Sequence, residues 1–396
     1  MKNISMKLSW VVVVGAVAMT LAGPLSVVQA ASAAPEPTDK SSAPSGIPAA
    51  GLPPPAGPAP SAAAPLVRRW LSAPRVVGHL TAKDLGVVIN IDDPYSVQVG
   101  EYYAKARGIP AGRVLRVSLP IKPGLTRDEF ESFDQQVKQF FGPRVQALAL
   151  TWRLPYGVEC NSITGALTMG YEPKACTGKP TVLKTSPYFG SRSTKPFTDH
   201  QMRLSMLLAA KDADSAKALI DRGVASDGTL GLRGAPAVNA HFVTTSDSVR
   251  SVRQQFFPPA GLSPSVGIDV HLDQTDALKN ANRVAIYMTG IANVGFLDTI
   301  DFVPGALADH LTSYGGMLDN AHGQMSVLSW IEAGATASYG TTSEPYALWQ
   351  KFPHPQGLVI FYAQGATAVE AYWKSVAWPQ QGLFVGEPLA APFAHQ

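Results

Sequence analysis

The run Leu85-Gly86-Val87-Val88-Ile89-Asn90-Ile91, closed by Asp93-Pro94, limits the fold more than any other feature of the chain. An apolar run without alternation suits a strand buried on both faces, and such strands belong to parallel sheets covered on both sides. Asp93 is placed to cap a helix and Pro94 to open it, with Gly108 to stop it. The same alternation continues downstream. Val114–Val117 reads as a strand, and Thr126-Arg127-Asp128-Glu129 has capping-box spacing ahead of Phe130, Phe133, Val137 and Phe140. Val145–Thr151 is a third strand. Residues 202–210 and 214–222 read as helices, 241–245 as a strand, and Ser246 as the cap of a helix carrying Val249, Val252 and Phe256. Further strands are expected at 267–272, 284–289 and 335–340, with helices at 324–333 and 367–376. The expected fold class is therefore α/β, a mostly parallel sheet of about six or more strands with helices on both faces. Residues 67–396 are read as one large domain, divisible into 80–200 and 201–393, with the 378–393 tail docked on the sheet.

The N-terminus has a different character. Lys2 and Lys7 precede an apolar run from Leu8 to Ala22, and Val28-Gln29-Ala30 supplies the small residues of a cleavage site. Residues 1–30 are read as a signal peptide and 31–66, which hold ten of the 33 prolines, as a disordered tether. Export to the periplasm or medium follows, with no membrane span after cleavage. Removing Lys2 and Lys7 from 32 basic residues against 29 acidic ones leaves 30 − 29 = +1. A chain this near neutrality has no footprint for nucleic acid. Cys160 and Cys176 are the only cysteines, and in an exported chain they are most simply a disulfide contributing about 3 kcal/mol by loop closure. A catalytic thiol is the sharper alternative. The usual catalytic strings are missing, Walker A, GxGxxG, HExxH, GxSxG and SxxK alike. No metal ligand set is expected, since the cysteines form no CxxC and have no nearby ligand histidine, and the sequence leaves the cofactor open.

Several strings resemble one family: LTWRLPYGVECNSIT at 150–164, RGVASDGT at 222–229, PGALADHLTSYGG at 304–316, GATASYGTTSEPY at 334–346, KFPHP at 351–355 and EAYWKSVAWPQQGLFVGEPLAAPF at 370–393. They resemble an uncharacterised family of exported bacterial proteins, found sporadically and often beside exosortase-type sorting. The resemblance covers about residues 85–393 and brings no activity with it. In that family a Cys often follows the Glu-Pro at 344–345; here the position is Tyr346. The order of elements over 284–372 is also similar in architecture to the caspase–gingipain α/β sandwich. Gly290-Ile291 stands where that architecture implies a His, and 304–316 offers no Cys.

The candidate site residues are Asp227, Asp309, His310, Glu344 and His354. His310 beside Asp309 is a candidate general base, with Ser313 as nucleophile, or else a hydrogen-bonded histidine on a helix. Asp227 in Ser226-Asp227-Gly228 is a cation ligand or an Asx-turn. Glu344, Lys351 and His354 share a proline-stiffened loop after the 335–340 strand, where parallel sheets open a ligand crevice. Trp349, Trp373 and Trp378 are sugar platforms or core. Three functions are consistent with this set: an envelope hydrolase acting on peptide or polysaccharide, a non-catalytic binding or assembly protein, and a caspase-fold relative without its dyad. If one site exists, it is expected beside 341–355, joined by Asp227 or Asp309-His310.

Overall fold

The computed structural model describes residues 68–319 and 322–395; the expected signal peptide and tether lie outside the described residues. In chain order the elements begin β1 (Leu85–Asn90), α1 (Pro94–Ala106), β2 (Val114–Val117), β3 (Gly124–Leu125), α2 (Arg127–Phe140) and β4 (Ala147–Leu150). They continue β5 (Gly157–Val158), β6 (Asn161–Ser162), α3 (Ile163–Met169), α4 (Pro196–His200), β7 (Leu204–Leu207), α5 (Ala213–Ser226) and β8 (Val238–Thr244). Next come β9 (Gly261–Ser263), β10 (Ile268–Gln274), β11 (Val284–Thr289), β12 (Phe302–His310) and α6 (Leu328–Glu332). Last are β13 (Ala337–Thr341), α7 (Pro355–Ala363), α8 (Ala368–Ser375) and β14 (Gly382–Gly386).

Eleven strands form one sheet in the order β2-β1-β4-β7-β14-β13-β12-β11-β8-β10-β9, while β3, β5 and β6 form a small second sheet. Most neighbours run parallel; β9–β10 and β13–β14 are antiparallel. The mostly parallel α/β class expected from the apolar runs is the observed one. All six residues of β1 and of β11 are buried, as strands covered on both faces require. Helices lie on both sides of the sheet. A side chain at Gly100 of α1 would strike Ile89, and one at Gly86 would strike Phe141 at the end of α2. Residues 86 and 89 point to opposite faces of β1, so α1 and α2 do as well. Asp93 accepts from the Tyr95 N–H at the start of α1, and Thr126 with Glu129 completes the capping box of α2.

Four readings are corrected. Residues 202–210 hold the strand β7, not a helix, because a short continuous apolar run carries no period that separates the two. Residues 304–310 likewise continue β12, so Asp309 and His310 finish a strand and point to opposite faces. The helix expected after Ser246 is a 3₁₀ segment at Arg250–Phe256, and the 324–333 helix shrinks to α6. The 378–393 tail does more than dock: β14 enters the middle of the sheet, pairing five residues with β13 and meeting β7 at Val385–Leu207.

That insertion depends on glycine. Gly386 has φ +142°, and a Cβ there would lie 2.5 Å from Ala337 Cα. Gly386→Ala is expected to cost about 3 kcal/mol or more from backbone strain and overpacking, read as a fall in the urea midpoint. A loss below about 1 kcal/mol would show that β14 can shift without penalty.

Candidate functional site

The structure separates the candidate residues into two groups at opposite ends of β12. A Cβ at Gly305, near the start of β12, would sit 3.0 Å from Ser226 Cβ, which places neighbouring Asp227 at that end. His310, five residues further along, is about 15 Å away. Asp227 ends there because α5 returns across the sheet and closes at Ser226.

At this first end Arg107 is shared by two carboxylates. Its Nε donates to Glu387 at 3.1 Å, and its two terminal nitrogens pair with Asp227 and Glu387. Tyr103 Oη donates to Glu387 at 2.6 Å, and Asp227 Oδ1 accepts from the Ala391 N–H at 3.0 Å. Burial, then the Glu387 charge, pushes the Tyr103 hydroxyl well above its ordinary range. A cavity of about 560 Å³ opens beside this network, with His79 and His395 on its rim. Both oxygens of the Asp227 carboxylate are therefore engaged, one by Arg107 and one by the Ala391 N–H.

At the other end β12 and β13 finish side by side, and the loops after them meet. His310 is fully buried and satisfied on both nitrogens: Trp330 Nε1 donates to Nδ1 at 2.9 Å, and Nε2 contacts the Met325 carbonyl at 3.0 Å. That pairing fixes the neutral tautomer with its proton on Nε2. Burial lowers the imidazole to about 3, against the Met325 carbonyl, which works upward. Among the described residues both ring nitrogens of His310 are taken up by these two contacts. Asp309 faces the opposite side, with Arg253 Nη2 2.6 Å from Oδ1. Arg253 also donates to the Thr289 and Pro353 carbonyls, so one guanidinium holds Asp309 and two backbone segments together. Burial raises the Asp309 carboxyl and Arg253 opposes the rise. His354 caps α7, its Nδ1 accepting from the Gly357 N–H at 3.2 Å, while Trp349 and Phe256 pack on its ring. Burial lowers it to about 4. The α7 helix itself was not expected, although His354-Pro355 carries the cap and first-turn signal for it.

Glu344 lies on the wall of a cleft of about 450 Å³, with Val249, Arg250, Leu311, Ser313 and Tyr346 around it. Its Oε1 accepts from the Tyr346 N–H at 2.8 Å. Tyr346 and Ala347 follow in consecutive left-handed conformations, φ 61° and 50°, a strain that side-chain-bearing residues rarely store. Arg250 pairs with Asp247 at 2.7 Å and reaches Thr312 at 3.3 Å, leaving Nη2 without a hydrogen bond among the described residues. Ser313 lines the cleft, and among the described residues no histidine hydrogen-bonds its hydroxyl. Trp373 is core, stacked on Phe384 with centroids 4.2 Å apart.

Cys160 and Cys176 form a disulfide, Cα atoms 5.1 Å apart. The Ser343 hydroxyl donates to the Cys160 carbonyl at 2.6 Å, so the bridged loop abuts the 341–355 loop. Among the described residues no group of three or more His, Cys, Asp or Glu is arranged as a metal site, and no helix is long and apolar enough to cross a membrane.

No family model matches the chain, and no curated protein matches its sequence. Among solved structures, the Arg-specific cysteine proteinase gingipain R is similar at a TM-score of 0.37 and 10% identity, over 78% of this chain and 78% of that one.

Proposed function

We propose that this chain is a non-catalytic binding protein of the cell envelope, holding a peptide segment in the cleft after β12 and β13. One observation carries the reading: the histidines and Asp309 at this end are consumed by structural contacts, whereas Arg250 and Glu344, each bonded through one part of its head group to Asp247 or to the Tyr346 N–H, line a cleft with an apolar wall. Val249, Leu311 and Pro345 suit aliphatic side chains, and a guanidinium with a carboxylate suits the polar groups of a peptide. A hydrolase needs an acid and a base within reach of a common point, and among the described residues the cleft lining holds Glu344 with no histidine or second carboxylate beside it. The envelope setting rests on the Lys2–Ala30 export pattern, and the disulfide suits an oxidising compartment.

An octapeptide array probed with the full chain tests this. Wild type is expected to retain a subset of peptides, with Glu344→Gln and Arg250→Ala weakening binding about tenfold each, or ~1.4 kcal/mol. Peptide, ester and glycan substrates are expected to survive incubation. Hydrolysis that Glu344→Gln abolishes would overturn the reading in favour of an enzyme.

A further inference from the structure

Behind the cleft wall stands a charge that the fold leaves without a counter-ion. Lys351 is 2% exposed, yet its Nζ makes no hydrogen bond or ion pair with any described residue. Its Nζ lies 6.0 Å from the ring centre of Tyr346, a residue of the cleft wall, and the charge of Glu344 on the same wall acts on it from beyond ion-pair distance. The neighbouring cations are matched, Arg250 by Asp247 and Arg253 by Asp309. Lys374 shows how the same protein satisfies a buried ammonium for structure alone. Its Nζ donates to the Ser191 and Ser193 carbonyls at 2.9 and 2.5 Å and lies 4.0 Å from the Tyr188 ring centre. Lys351 has nothing equivalent among the described residues, and a charge so nearly withdrawn from water is costly unless a partner arrives.

We propose that Lys351 is the anion anchor of the cleft, so that the bound peptide places a carboxylate against its amine. This rests on the binding reading above and adds the chemical class of the ligand. The Tyr346-Ala347 turn is the second support, since strained backbone beside an unfilled charge is where a fold stores a binding geometry. Burial lowers the amine to about 8, and the Glu344 charge opposes the fall.

The octapeptide array separates the two ideas. Peptides retained by wild type are expected to be enriched in Asp or Glu, and Lys351→Met is expected to lose that enrichment. Calorimetry on one retained peptide and its Glu→Gln counterpart should show the acidic form binding at least tenfold more tightly to wild type and equally to Lys351→Met. Lys351→Met should also keep or raise thermal stability, because a purely structural lysine would instead lower it. Protection of Lys351 from acetic anhydride by the acidic peptide gives the same readout in unmutated protein. Retained peptides without acidic preference, and an unprotected Lys351, would overturn the anchor and leave the binding reading standing. An array that retains nothing would remove both.

Discussion

Arg107→Met is expected to remove about 3–5 kcal/mol of stability, the range for breaking one side of a buried ion pair. The reason is Glu387, whose side chain is 0% exposed and whose charge is met by Arg107, with Tyr103 adding a hydrogen bond. Without the guanidinium, that carboxylate stays buried with one hydroxyl and the Leu389 N–H for company. Asp227 sits in the same network but is 41% exposed, so Asp227→Asn should cost under about 1 kcal/mol. Urea unfolding of the two variants reads the contrast directly. Equal small losses would mean that Glu387 finds other partners, and equal large ones that Asp227, not Glu387, is the group Arg107 serves.

Acid should unfold this protein partly through His310. Its folded value of about 3 lies below the ordinary 6.5, so the unfolded chain takes up a proton first. Stability from this group is whole above pH 6.5 and is lost as pH falls toward 3. His354, lowered to about 4, acts in the same direction. The raised Asp309 and Glu370 act oppositely, since protonation relieves their burial. His310→Phe isolates the histidine. At pH 7 the variant should be about 2–4 kcal/mol less stable, because the Trp330 N–H and the Met325 carbonyl lose their partner. Between pH 6.5 and 4 the gap should narrow by about 3 kcal/mol, at ~1.4 kcal/mol per unit. A gap independent of pH would show that the wild-type imidazole protonates in the folded state.

How much was legible follows from what each segment encodes locally. Asp93-Pro94 and Thr126–Glu129 announce helices because caps are local chemistry, and both helices are present. The strands at 85–90 and 284–289 announce themselves by burial on both faces. The 204–207 strand does not, since Leu-Ser-Met-Leu is as good a buried helix turn as a strand. For the site, Glu344 and Lys351 were visible as polar residues in a stiff loop after a strand. Arg253 and Glu387 were not, because only tertiary structure brings Arg253 to Asp309 across 56 positions and Glu387 to Arg107 across 280. Asp227 looked like a partner for Glu344 only while the return path of α5 was unknown.

The binding reading requires the histidine next to the cleft to be a structural post and no base. Nitrogen-15 and proton NMR of the His310 ring across pH 4 to 8 tests this most directly. One neutral Nε2–H form is expected throughout, with the Trp330 indole proton held in its hydrogen bond to Nδ1. A ring that titrates near 6.5, with exchange of its proton into solvent, would contradict it and return His310 to the list of acid–base groups.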